Sequence, residues 1–175
     1  WKYGRTRNDT LIAEVIYTSG DSNGIEDKKY TGVITGNSWG APGAAFTSHG
    51  AYLLLPHLTV VNRFYAAASD LSNMGYGLTA GTLNLSYDLI RNNLTLKVGG
   101  ALGFANAAPE GGGGGRTIGY EGNAMLAWRI GVFLSLEAHA AYMKLGNFYE
   151  TPAVAATGKP TDPWTTFLAL RWLMF

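Results

Sequence analysis

The strongest constraint on the fold is an alternation of apolar and polar residues on both sides of Arg91-Asn92-Asn93. Between 81 and 89 the odd positions hold Gly, Leu or Tyr, and the even positions hold Thr, Asn, Ser or Asp. After the three-residue break the apolar residues occupy even positions, from Leu94 to Phe104. A period of two is typical of a strand with one apolar face and one polar face. Asn tolerates the backbone angles of a tight turn. The two runs therefore predict a long β-hairpin.

The same alternation recurs in three other segments of the second half and the start of the chain. It covers 11–19, 117–142 with a turn near Gly131, and 164–174. Several of these runs exceed the mean soluble strand of about 5 or 6 residues. They fit the roughly 9 to 11 residues that a tilted strand needs to cross a bilayer.

The connections between these segments alternate between short and long. Turns at 91–93 and near Gly131 are brief, whereas long loops are expected at about 20–50, 107–116 and 147–162. The run from Gly111 to Gly115 cannot hold a packed element and reads as a flexible loop. Short turns at one end and long loops at the other are typical of transmembrane barrels. We therefore predict an all-β fold, an antiparallel transmembrane β-barrel, in one domain spanning 1–175.

Composition agrees with a membrane location. Charged residues make up 14% of the chain, against about a quarter in soluble domains. No run of about 18 apolar residues occurs, so a transmembrane helix of ordinary length is excluded and a barrel is the remaining way to span a bilayer. The absence of Cys excludes disulfides and Cys-ligated zinc, and the net charge of +1 gives no broad field for nucleic acid.

Aromatic residues near the ends of the predicted strands are candidates for the two belts that mark membrane interfaces. They are Tyr76, Tyr87, Phe104, Trp128, Tyr142, Trp164 and Trp172.

The number of strands is left open by the first half of the chain. The segment 20–73 contains a weak strand pair near 51–55 and 58–69, or it forms one large external loop that folds into the pore. Eight strands would close a small barrel, whereas six would leave an open edge in lipid. The chain begins at Trp1 without a Met or a leader, which we interpret as a mature chain or as the C-terminal part of a larger barrel.

Two stretches resemble known outer-membrane proteins. The block DPWTTFLALRWLMF, 162–175, resembles the C-terminal assembly signal of bacterial outer-membrane barrels, which implies recognition by the barrel-assembly machinery. The stretch IYTSGDSN, 16–23, together with the Gly-rich loops, is similar to the porin-like alginate-export group. That resemblance implies a larger barrel with a lumen for a hydrophilic solute or polysaccharide.

If the apolar face of each strand contacts lipid, the polar face lines the lumen. The predicted lumen-lining residues are Glu14, Asp88, Lys97, Glu121, Arg129, Glu137, His139 and Arg171. Their mixed charges are able to form either a selectivity surface or a salt-bridged plug.

Other chemistry is weakly supported. Glu137 and His139 share a strand face as a catalytic or metal pair would, but no third partner or nucleophile motif accompanies them. The stretch DSNGIED, 21–27, is too short for a full calcium loop. The glycine run lacks the Lys-Ser/Thr and helix of a phosphate loop. We therefore predict no enzyme activity, no metal, no cofactor and no nucleic-acid partner.

The sequence thus favours a porin-like channel or exporter in the bacterial outer membrane, passing hydrophilic solutes or polysaccharide. The alternative is a small non-conducting barrel that serves as an anchor, adhesin or scaffold for other chains of a surface complex. A third interpretation, a soluble lipocalin-type barrel, would place the apolar side chains inside.

Overall fold

The computed structural model describes residues 1–23, 28–32, 50–54 and 72–173. Its regular structure is almost entirely β, which confirms the all-β antiparallel prediction. The six strands are β1 (Thr10–Thr18), β2 (Leu78–Ile90), β3 (Leu94–Ala105), β4 (Thr117–Arg129), β5 (Leu134–Leu145) and β6 (Trp164–Trp172). Two short 3-10 turns lie at Asn73–Gly75 and Asn147–Glu150. Within the described ranges no helix is long and apolar enough to cross a membrane.

The strands form one sheet in chain order, and every neighbouring pair is antiparallel. The hairpin between β2 and β3 turns where the sequence predicts: Asn92 has a φ of 56°, and the Asn93 N–H donates to the Ile90 carbonyl at 2.9 Å. A second brief turn joins β4 to β5, closed by the Ile130 N–H on the Leu134 carbonyl. The long connections therefore leave and rejoin the strands at the opposite end of the sheet, which we call the loop end.

The sheet is open among the described residues. Strands β1 and β6 are its two edges, and no ladder joins them there. Of the weak strand pair, 58–69 lies outside the described residues, whereas 51–54 is described and is not a strand of this sheet. Of the two alternatives for this segment, a barrel strand is therefore not found at 51–54, because these residues lie across one face of the sheet.

The two faces of the sheet differ sharply in chemistry. One face packs against residues 50–54, and we call it the covered face. Along β2 it carries the even-numbered residues Leu78, Ala80, Thr82 and Asn84, all buried. The other face, which we call the apolar face, carries exposed large hydrophobic residues on every strand. The alternation that predicts strands therefore also predicts which side chains share a face.

One local shift departs from simple alternation. Phe104 pairs with Thr117 but Gly103 pairs with Gly119, so β4 has one extra residue at this point. The extra residue, Ile118, is fully buried in the core and does not share the face of Tyr120 as strict alternation predicts. Gly119 has a φ of 154°, a value that side-chain-bearing residues rarely adopt. A β-bulge explains the difference, since it moves one side chain to the opposite face.

Candidate functional site

The centre of the covered face is a carboxylate that holds residues 50–54 in place. Glu121, on β4, is only 4% exposed. One of its oxygens accepts the backbone N–H of Tyr52 at 2.6 Å. The other accepts the N–H groups of Leu53 and Leu54, each at 2.8 Å. Three consecutive backbone donors therefore converge on one buried carboxylate, a charge-assisted arrangement that is stronger than neutral hydrogen bonds.

Asn123 completes this contact two residues further along β4. Its Nδ2 donates to the Gly50 carbonyl at 2.7 Å and to Glu121 Oε1 at 2.9 Å. Glu121 and Asn123 point the same way because residues two apart on a strand share a face. We call this set of hydrogen bonds the Glu121 latch, formed by Glu121, Asn123 and the backbone of 50–54.

Small residues on β3 make room for the segment. Gly99, Ala101 and Gly103 occupy successive positions of the covered face. A Cβ on Gly103 would lie 3.1 Å from a methyl carbon of Leu54, so the Leu54 side chain rests directly on this glycine. Alternation places these residues on the polar face. Their uniformly small size is a sequence signal for a covering segment, and this signal was not used in the predictions above.

A second polar chain joins residues 50–54 to β5 and β6. The Tyr52 hydroxyl lies 3.1 Å from His139 Nδ1, and His139 Nε2 lies 3.2 Å from Glu137 Oε2. Arg171 approaches the same Glu137 oxygen at 3.5 Å. The His139 ring stacks on Phe167 with centroids 4.3 Å apart. One network of contacts thus joins Tyr52 to two residues of β5 and two residues of β6.

Tyr52 takes part in this hydrogen-bonded network as a protonated hydroxyl group. Burial, together with the nearby Glu121 and Glu137, raises the pKa of Tyr52 to about 12. The hydroxyl is therefore protonated at neutral pH, and because it is both a donor and an acceptor it pairs with His139 Nδ1 in either tautomer of the ring. A phenol with a raised pKa is a poor nucleophile. His139 contacts the covering segment through Tyr52, and Glu137 contacts His139.

Asp88 has a local structural role at the turn end. It is buried, and its carboxylate accepts hydrogen bonds from the Thr95 hydroxyl at 2.6 Å, Asn8 Nδ2 at 3.0 Å and the Asn92 N–H at 3.1 Å. These bonds hold the tight turn between β2 and β3.

The remaining predicted lining residues lie on three other positions of the sheet, on β1, β3 and β4. Glu14 pairs in register with Thr82, and Lys97 with Ser86, which places both on the covered face. Arg129 is exposed at the end of β4. Of the eight predicted residues, Glu121 and His139 thus contact residues 50–54 directly, whereas Glu137 and Arg171 are linked to the segment through His139.

The apolar face carries two bands of exposed aromatic residues. The band near the short turns consists of Tyr87, Trp128 and Trp172, and the band at the loop end consists of Tyr17, Phe104, Tyr120, Tyr142 and Trp164. Exposed Leu83, Leu85, Val98 and Leu168 lie between the bands. Tyr17 and Tyr120 were not among the sequence candidates, although the alternation already places them on this face.

Tyr76 does not belong to these bands. It lies just before β2, in the turn after Asn73–Gly75, and is partly buried against the core. Its ring meets Phe148 edge-on at a centroid distance of 5.7 Å. Tyr76 therefore packs against the loop end and lies outside the two exposed bands.

The loop end also contains a wide polar cleft of about 690 Å³, lined by Asp21, Asn23, Lys29, Asn106, Glu110 and Arg116 among others. Asp21 accepts hydrogen bonds from the Asn23 and Thr31 N–H groups and from the Thr31 hydroxyl. Its carboxylate therefore holds the loop together. The rest of the calcium-like stretch, 24–27, lies outside the described residues, and the described ranges contain no cluster of three metal-binding side chains.

Asp162 tethers the long loop between β5 and β6. Its carboxylate accepts the Leu145 N–H at 2.8 Å and the Tyr142 hydroxyl at 2.8 Å, and these bonds lower the pKa of Asp162. A lowered folded-state pKa means that the tether stabilises the fold above the unfolded pKa of about 4 and is lost as the pH falls through the folded value. We expect exchange of the Leu145 amide to accelerate below about pH 4.

Hydrogen exchange at Leu145, followed from pH 6 to pH 3 after correction for the intrinsic rate, measures this effect. Asp162→Asn is the control, because its side chain does not ionise in this range. An identical pH dependence in the wild type and in Asp162→Asn would show that another group controls the loop.

No protein-family model, curated protein or solved structure matches the chain.

Proposed function

We propose that the chain forms the wall of an outer-membrane β-barrel, with its apolar face against lipid and its covered face toward a polar interior. The observation that carries this proposal is that the sheet exposes its apolar face and buries its polar face, the reverse of a soluble protein. Leucines and aromatic residues are exposed across one face, whereas Glu121, Asn123 and His139 are buried on the other. Soluble proteins rarely expose a continuous apolar surface of this extent.

The aromatic bands support the same proposal. Tyr120 and Trp128 on β4 are eight residues apart, which is about 26 Å along a strand at about 3.3 Å per residue. With a tilt of about 40° the two bands are about 20 Å apart along the membrane normal, near the apolar height of about 25 Å in outer-membrane barrels. Tyr and Trp favour both edges of such a layer.

For the activity we propose a porin-like passage for hydrophilic solutes, narrowed by residues 50–54. Charged side chains on the covered face, such as Glu14 and Lys97, support a water-filled interior. The passage would select by width and by these charges. Polysaccharide remains among the candidate solutes, and the assembly machinery of the outer membrane is the expected folding partner.

The second candidate is a filled barrel that anchors its surface loops or a partner complex. The observation in its favour is the Glu121 latch. Residues 51–54 are at most 2% exposed and are held by a buried carboxylate. A segment bound this firmly is suited to block conduction.

Lipid contact is tested by fluorescence quenching. Variants that retain only Trp164 or only Trp172 are reconstituted with lipids brominated at shallow or deep positions. We expect both tryptophans to be quenched, and more strongly by shallow bromines, because each belongs to an aromatic band. Equal fluorescence with brominated and ordinary lipids would contradict the membrane proposal.

Single-channel recording in a planar bilayer then separates the two activities. Stable current steps from the intact, folded chain support a passage, and their reversal potentials measure the ion preference. Silence from a chain that passes the quenching test supports the filled barrel.

A further inference from the structure

Three residues in register across β2, β3 and β4 form an uncharged polar site on the covered face. Asn84 pairs with Gly99, and Gly99 pairs with Asn123. Residues directly opposite one another in a sheet project to the same face, so the two amides flank the glycine. A Cβ at position 99 would overlap Asn84 Oδ1 and would lie 2.7 Å from Asn123 Oδ1. The absence of a side chain therefore lets both amide groups lie close over the β3 backbone, next to each other.

Both amides are buried with unused hydrogen-bonding atoms. Asn84 is 3% exposed, and neither its Oδ1 nor its Nδ2 has a partner in the described part of the protein. Asn123 uses its Nδ2 in the Glu121 latch, but its Oδ1 has no partner there. Buried polar atoms of this kind are rare in folded proteins and usually mark an internal water or another polar ligand.

We propose that Asn84, Gly99 and Asn123 bind one hydroxyl group, supplied by a water molecule or by a hydroxylated solute. The site offers two acceptors and one donor, and a hydroxyl both donates and accepts. A calcium ion needs six to eight oxygen ligands, far more than two amide oxygens. An anion would approach the Glu121 carboxylate, which lies beside Asn123. A neutral hydroxyl fits both the charge and the hydrogen-bonding pattern.

The two sources of the hydroxyl differ in what they imply. A water would be a structural part of the sheet and is independent of any transport activity. A solute hydroxyl rests on the proposed passage, and would identify the site as a contact for polyols or sugars within it.

A crystal structure at a resolution that shows ordered water tests the site directly. Crystals are grown without polyols, and a second set is soaked in sorbitol. We expect a density peak within hydrogen-bonding distance of both amide oxygens. A peak unchanged by sorbitol identifies water, and its replacement by sorbitol identifies a solute site. A direct Asn84 to Asn123 hydrogen bond with no density between them would overturn the proposal.

Gly99→Ala provides a solution test, because its methyl group would push Asn84 and Asn123 away from the positions in which they bind the hydroxyl. The matched control is Gly122→Ala on β4, where an added Cβ has nothing within 4 Å. Relaxation dispersion of water protons counts long-lived internal waters, and we expect Gly99→Ala to lose one while Gly122→Ala loses none. If Gly99→Ala does not fold, Asn84→Leu removes the same ligand atoms. An unchanged count in the folded Gly99→Ala or Asn84→Leu protein would contradict the water assignment.

The existence of the site does not depend on conduction, and only a solute ligand rests on the proposed passage. A silent channel would remove the proposed passage and leave the site in place as a water site. Absence of a hydroxyl at the site would overturn the site and would not contradict the proposed passage.

Discussion

Replacing Glu121 by alanine is expected to lower the free energy of unfolding by about 3 kcal/mol or more. The substitution removes the acceptor of the Tyr52, Leu53 and Leu54 N–H groups. Each buried donor left without a partner costs about 1 to 3 kcal/mol, so the losses accumulate even if some donors find new partners. Urea titration of the chain in lipid vesicles, followed by tryptophan fluorescence, measures the change.

Glu110→Ala is the matched control, since Glu110 is exposed in the loop before the glycine run. Its loss should stay within about 0.5 kcal/mol, as is typical of surface positions. Equal stability of Glu121→Ala and Glu110→Ala would show that residues 50–54 do not depend on the carboxylate.

The same variant connects stability with the proposed passage. If residues 50–54 narrow a conducting lumen, releasing their latch should raise the single-channel conductance of Glu121→Ala above that of the wild type. The Glu110→Ala protein should conduct as the wild type does. A stable, lipid-inserted Glu121→Ala chain with no current would favour the filled barrel.

The second large effect is expected at Leu168 on the apolar face. Leu168 is 73% exposed and lies midway along β6 between Trp164 and Trp172. In water, a lysine at such an exposed position would change stability by no more than about 0.5 kcal/mol. At the middle of a bilayer it should cost about 2 to 4 kcal/mol. We therefore expect Leu168→Lys to reduce stability in vesicles by the larger amount.

Leu173→Lys is the control, because Leu173 follows the last residue of β6, beyond the aromatic band. Near the interface the same change should cost about 0 to 1 kcal/mol. Both variants are compared with the wild type by urea titration in identical vesicles. Costs that are equal and small at both positions would contradict burial of this face in lipid.

Much of the sheet follows from local pattern. The shift of the apolar residues from odd to even positions around Arg91-Asn92-Asn93 predicts β2, β3 and the turn between them. The side-chain period of two then assigns Leu83 and Leu85 to one face and Asn84 to the other. The aromatic residues on the apolar face follow from the same rule, whereas Tyr76 lies outside the strands and packs against the core. Wherever the alternation breaks, as at the bulge of Ile118, the face is decided by the pairing with the neighbouring strand.

The candidate site was predicted less completely. The sequence places Glu121, Glu137 and His139 on the polar face, but it does not reveal that residues 50–54 cover them. Glu121 and Leu53 are 68 positions apart, and periodicity carries no information about contacts at that separation. The backbone N–H groups that meet the carboxylate belong to every residue type except proline, so no side-chain motif marks them.

The sequence alone therefore determined the strands, the tight turns and the two faces, because each depends on neighbours within a few residues. Only the tertiary structure decided the register of the bulge at Gly119, the packing of Leu54 on Gly103 and the Glu121 latch. Those features depend on which distant segment fills the space above the small residues of β3. That choice is made by shape and by buried hydrogen bonds, which act between elements that are far apart along the chain.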